Sequence, residues 1–157
     1  MCGPDYGASV DVHHLTDLVG KELVSPWSDV TQAAITQFAD TTGDRQWIHV
    51  EVERARREST YGGTIAHGFL TLALIGGLLR DAVGRIEGTR MTINYGLNKV
   101  RFPAPLPASS RVRGRCTLLR VDPVEGGLQA TWGVLVERDG ALKPCCVAEW
   151  LVRYYFL

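Results

Sequence analysis

Apolar and polar positions change rhythm halfway along the chain. In the first half they recur with helical spacing. Ile35, Phe38 and Ala39 stand three and four apart, which predicts a helix over about residues 32–42. Thr31 is placed to cap it, and Gly43 stands where a left-handed stop is expected. "LTDLV", residues 15–19, followed by Gly20, predicts a short helix, and "LVSPWSDV" reads as extended. "VEVERARRES" can form a short amphipathic helix, and "TYGGT" is a loop. Residues 68–83 are apolar on nearly all sides, and such a helix belongs inside a domain. Beyond residue 88 the period falls to two. "TRMTINYGLNKVRF", "SSRVRGRCTLLRVD", "LQATWGVLVERDG" and "LKPCCVAEWLVRYY" read as strands separated by "PAPLP", "DPVEGG" and "RDG". Helices first and strands after predict an α+β fold, an antiparallel β-sheet wrapped around a long central apolar helix.

Composition narrows the class. The 157 residues, 45% apolar and 22% charged, suit one domain over residues 1–157, with residues 1–14 as a flexible N-terminal extension. Basic and acidic side chains balance at 17 each, so charge gives no reason to expect nucleic acid or an anionic membrane as partner. "FLTLALIGGLL" is too short for a span, which needs roughly 20 apolar residues. The start of the chain lacks a basic region followed by an apolar run, so a cytoplasmic location is expected. Cys2, Cys116, Cys145 and Cys146 have no CxxC spacing and are expected as free thiols. Trp27, Trp132, Trp150 and Phe102 are expected in the core, and His13 and His14 in solvent. Arg54, Arg56 and Arg57 form a solvated helix face, with contact to phosphate as the sharper alternative.

One stretch does not fit a regular element. "TGDRQWIH" sets Asp44 five residues before His49. On a helix or a strand that separation points the side chains apart. Either the two are unrelated, Asp44 being a turn residue and His49 a surface or helix-start histidine, or a loop brings them together. No third residue has spacing that would complete a metal site with them.

"FADTTGDRQWIH" together with "TIAHGFLTLAL" resembles the MaoC-like dehydratases, the (R)-specific enoyl-CoA hydratases of the hot dog fold. "INYGLNKVRFPAPL" resembles the branch that includes nodulation protein N. The resemblance runs from about residue 15 to the C-terminus. It implies that Asp44 and His49 hold a water and that Gly68 supplies an oxyanion-hole N–H. Where the hydratase signature has asparagine and proline, this chain has Gln46 and Trp47. With His67 and Thr71 they are the candidate substrate-binding residues. His67 reads on its own as a capping or packing residue, and the Thr71 hydroxyl as bonded to a carbonyl one turn back.

The chemistry suits the parts. Hydration of a 2-enoyl thioester needs a water deprotonated near the β-carbon, a proton for the α-carbon and stabilised charge on the carbonyl oxygen. An imidazole titrates near operating pH, and a helix N-terminus presents unpaired N–H groups. The expected activity is reversible hydration of trans-2-enoyl-CoA to (R)-3-hydroxyacyl-CoA. The alternatives are a hot dog acyl-CoA thioesterase or a non-catalytic acyl-thioester-binding module. No cofactor or metal is expected beyond the coenzyme A of the substrate, with acyl carrier protein the lesser carrier. Hot dog domains commonly pair edge to edge, and exposed sheet edges invite pairing, so a homodimer is expected.

Overall fold

The computed structural model describes residues 9–157. Thr31 caps α1 (Gln32–Thr42): its side chain accepts from the N–H of Ala34, and Gly43 closes the helix at φ 78°. That φ suits a residue without a Cβ. Two short helices follow, α2 (Trp47–Val50) and α3 (Val52–Glu58). His49 therefore sits within a single helical turn, and only Asp44–Gln46 of the expected loop is non-helical.

The central helix is shorter than expected. It divides into α4 (Gly68–Ala73) and α5 (Ile75–Val83), with Leu74 as a turn between them. Nor is it buried all round. Leu70, Thr71, Ile75, Leu78, Leu79 and Val83 are buried, while Phe69 is 72% exposed and Ala73 and Gly76 are also exposed. Those three recur at helical spacing, so in a single chain one apolar stripe lacks cover.

Before α1 lie β1 (Ser9–Asp11), a 3-10 helix over Val12–Leu18, β2 (Glu22–Val24) and β3 (Ser28–Val30). After α5 come β4 (Arg85–Glu87), β5 (Thr89–Arg101), β6 (Ser110–Val124), β7 (Gly127–Arg138) and β8 (Cys146–Phe156). The main sheet runs β2-β6-β7-β8-β5, with β3 also paired to β6 and every pairing antiparallel. Thus β6, β7 and β8 meander, while β5 crosses to the far edge. A small parallel pair joins β1 to β4. Residues 9–14 are accordingly part of the fold: Val12 is fully buried. Any flexibility expected of residues 1–8 lies outside the described residues.

Alternation sets the inner face. Val112, Gly114, Cys116 and Leu118 of β6 are buried, as are Val134 and Val136 of β7 and Ala148, Trp150 and Val152 of β8. The helix packs on this face, giving the hot dog arrangement. Gly114 permits the approach: a Cβ there would stand 2.9 Å from Leu78 Cβ. Trp132 and Trp150 are in the core, but Trp27 and Phe102 are not. Trp27 lies on the outside beneath Arg113, whose guanidinium is 4.6 Å from its ring. Phe102 follows the end of edge strand β5 and is largely open. Among the described residues, no helix is long and apolar enough to cross a membrane.

Gly114→Ala should destabilise the fold by about 1–3 kcal/mol, as overpacking a tight contact does. Urea denaturation measures this. Unchanged stability would mean that α5 does not rest on β6 this closely.

Candidate active site

The fold brings the acid and the histidine together. One donor atom each from Asp44, His49 and His67 lies within 4.8 Å of the others. The five-residue gap closes because Gly43 ends α1, Asp44–Gln46 turns, and α2 carries His49 back. Gln46 stands at the N-cap of α2 without a side-chain capping bond.

His49 is 7% exposed, and its Nδ1 lies 2.7 Å from the carbonyl oxygen of Ile65. A carbonyl only accepts, so Nδ1 carries the proton and a neutral ring keeps its lone pair at Nε2. The backbone around it is also tied. Ile65 N–H donates to the Ile48 carbonyl, and Gln32 Nε2 donates to the His49 carbonyl at 2.8 Å. The Thr64 hydroxyl donates to Gln32 Oε1, so one side chain joins both segments of the motif. Asp44 is exposed, between the C-cap of α1 and the start of α2.

His67 supplies the third donor that sequence spacing did not reveal. It is buried, its ring stacks on that of His49 with centroids 3.8 Å apart and planes 26° apart, and its Nε2 lies 2.8 Å from the carbonyl oxygen of Asp44. His49 Nδ1 and His67 Nε2 are each bonded to a main-chain carbonyl, so in neutral rings one nitrogen of each keeps a lone pair.

Gly68 is the first residue of α4. His67 is its N-cap and makes no side-chain capping bond. The first-turn N–H groups therefore keep capacity for an oxygen ligand. Gly68 and Thr71 line a cavity of about 330 Å³ with Tyr61, Ile65, Phe102, Pro105, Leu106 and Cys145. A Cβ on Gly68 would meet the Phe102 ring at 3.1 Å, so that ring lies directly over the helix start. The Thr71 hydroxyl donates to the His67 carbonyl at 3.2 Å, the local bond expected of it.

The structure joins Gly68 and Thr71 to the cavity and joins Asp44, His49 and His67 to one another. Ile65 links the two groups, lining the cavity while its carbonyl holds His49. Gln46 and Trp47 are not on that cavity wall. Trp47 is covered by the Arg54 guanidinium at 4.6 Å. Arg54 also pairs with Glu51 and Glu58, Arg56 with Glu53, and Arg57 with Glu58, so this face already holds carboxylates. Sequence reasoning missed Ile65, Phe102 and Gln32. Ile65 acts through its backbone, which no side-chain pattern reports, and the other two are far from the motif in the chain.

Cys145 is on the cavity wall but poorly activated. Burial raises its thiol above the ordinary range, although Arg138 opposes this. Burial also pushes Cys116 up to about 12 and Cys146 up to about 11. The thiolate is the reactive form, so these three thiols should react slowly with a disulfide reagent at pH 8 and promptly in denaturant. Rapid modification of three or more thiols in the native protein would contradict this packing.

Comparison with known proteins identifies the family. A model of the MaoC like domain matches residues 15–137. The chain is 51% identical over 131 residues to 3-hydroxyacyl-thioester dehydratase Z of Mycobacterium tuberculosis, covering 83% of this chain and 85% of that one. It is 43% identical over 141 residues to nodulation protein N of Rhizobium leguminosarum, covering 88% and 87%. Among solved structures, the (R)-hydratase from A. caviae involved in PHA biosynthesis superimposes with TM-score 0.69 at 20% identity, covering 85% of this chain and 94% of that one. At that identity the likeness shows the fold alone. The family match over most of the chain and the two sequence relatives place this protein in the MaoC-like dehydratase domain family.

Proposed function

We propose that this member of the MaoC-like dehydratase family is a hydro-lyase that reversibly adds water to trans-2-enoyl thioesters, giving (R)-3-hydroxyacyl products. The observation that carries the reading is the convergence of Asp44 and His49 beside the open start of α4. The relative named a 3-hydroxyacyl-thioester dehydratase supports the reaction class.

In the hydration direction, the thioester carbonyl oxygen accepts from the Gly68 N–H. The helix N-terminus stabilises the negative charge that grows there. A water held between Asp44 and His49 attacks the β-carbon. His49 Nε2 takes its proton, because Nδ1 is already committed to Ile65. The α-carbon then receives a proton from the dyad, Asp44 orienting the water and accepting or returning a proton. The net change is one H and one OH added to the same face of the double bond. Gln46, Trp47, His67 and Thr71 remain the proposed residues around the substrate, with Thr71 on the cavity wall. The reaction needs no cofactor beyond the carrier thiol of the substrate, which we assign to coenzyme A ahead of acyl carrier protein. The chain works in the cytoplasm on this reading.

A thioesterase reading would have Asp44 activate water against the thioester carbonyl and would release free thiol. A purely binding module would keep acyl-CoA affinity with no turnover to lose. The apposition of His49 to Asp44 favours the hydratase over both.

The same reading includes a homodimer. Edge strand β5 exposes Met91, Ile93, Tyr95 and Leu97, and the exposed stripe of Phe69, Ala73 and Gly76 lies on the helix beneath. Clefts of about 310 and 520 Å³ open between helix and edge strand. A second copy paired along β5 would continue the sheet and cover this apolar surface.

Asp44→Asn and His49→Ala should each lower turnover of crotonyl-CoA or a longer enoyl-CoA by about 10²–10⁴-fold, with little change in melting temperature for the exposed Asp44 and a modest fall for the buried His49, which loses its bond to Ile65. A variant retaining full activity removes that residue from the mechanism, and stoichiometric thiol release would favour the thioesterase. Sedimentation should give a dimer at micromolar concentration, and Ile93→Asp should shift it toward monomer. A wild-type monomer would contradict the pairing.

A further inference from the structure

His67 is placed oddly for a packing residue. It is 3% exposed, and its Nδ1 is buried with no hydrogen-bond partner. A buried polar atom left unpaired is costly, and a phenylalanine or leucine would fill the space without that cost. Packing alone does not account for a histidine here. Its other nitrogen does have a task. Nε2 donates to the Asp44 carbonyl at 2.8 Å, which fixes a proton on Nε2 and, in a neutral ring, leaves Nδ1 as the bare lone pair.

The remaining contacts are equally directed. One ring face lies on His49 at 3.8 Å, and the Phe38 ring stands 5.1 Å away. The next residue in the chain is Gly68, the start of α4. Asp44 itself is exposed, and its local bonds are long: 3.4 Å from its N–H to the Thr42 hydroxyl, and 3.5 Å from its carboxylate to the Gln46 N–H. The bond from His67 is much shorter than either. His67 thus touches both members of the dyad and is covalently joined to the oxyanion donor.

We propose that His67 is a positioning residue that sets Asp44 and His49 relative to the Gly68 amide, through a hydrogen bond to the first and a stacked ring on the second. This rests on the dyad reading above. Reacting groups misplaced by about 1 Å lose about 10²-fold in rate, and a loss of alignment lowers kcat more than it raises KM.

The test compares His67→Phe, which keeps a flat ring without the donor, with His67→Gln, whose amide nitrogen can stand near the position of Nε2. Both are assayed on an enoyl-CoA beside Asp44→Asn and His49→Ala, with melting temperatures recorded. His67→Phe should lose about 30–300-fold in kcat with KM within about threefold, and His67→Gln should recover at least about tenfold of that loss. A kcat for His67→Phe within about threefold of wild type overturns the proposal. So does a His67→Gln variant no better than His67→Phe.

Nitrogen-15 NMR of the unmodified protein supplies a readout that needs no variant. It should show His67 protonated at Nε2 and bare at Nδ1, and the reverse tautomer overturns the hydrogen bond and the proposal with it. Unimpaired turnover in Asp44→Asn and His49→Ala would instead defeat the dyad reading, whatever His67 shows.

Discussion

The hydrogen bond from His49 to the carbonyl of Ile65 is the constraint on which the site depends. It ties the segment after α1 to the segment before α4, beside the Ile65 N–H bond to the Ile48 carbonyl and the His67 bond to the Asp44 carbonyl. It also sets the tautomer. With Nδ1 donating to a main-chain oxygen, the lone pair of a neutral ring is left at Nε2, where a water can use it. Gln32 reinforces the join from the first turn of α1, bonding the His49 carbonyl and accepting from Thr64. A ring free to rotate would have no such preference.

The rest of the fold serves to hold that join steady. The helix N-terminus at Gly68 has a fixed position because α5 lies on the inner face of the sheet, close enough that β6 needs glycine at Gly114. Three consecutive antiparallel strands make that face stiff. The backbone before α4 is pinned as well, with Ala66 N–H donating to the Leu106 carbonyl and Ala108 N–H to that of Thr64. The outer edge, β5, carries three register irregularities against β8 and leaves its apolar side chains uncovered.

Much of this was legible in the residues, for identifiable reasons. Thr31 and Gly43 marked both ends of α1 because capping chemistry is local. Strands β6, β7 and β8 announced themselves by residues whose burial alternates, whereas β5 read as a strand although none of its residues is buried. The break at Leu74 was hidden because "FLTLALIGGLL" is almost wholly apolar and its breaker pair, Gly76–Gly77, falls beyond the break and inside α5. The exposure of Phe69 was hidden for the same reason: hydrophobicity says that a side chain wants cover, not whether its own chain provides it. Trp27 and Phe102 were misplaced likewise. At the site, the Asp44–His49 pair was visible as a resemblance. The stacking of His67 on His49 and the reach of Gln32 come from tertiary contacts between segments more than fifteen residues apart, which no local pattern encodes.

The central claim is spatial, and the most direct measurement is a crystal structure of the Asp44→Asn protein with a trans-2-enoyl-CoA bound. The account predicts the thioester oxygen within hydrogen-bond distance of the Gly68 N–H, and the β-carbon facing a water held by His49. A substrate bound with its carbonyl away from the start of α4, or with its double bond out of reach of His49, would contradict it.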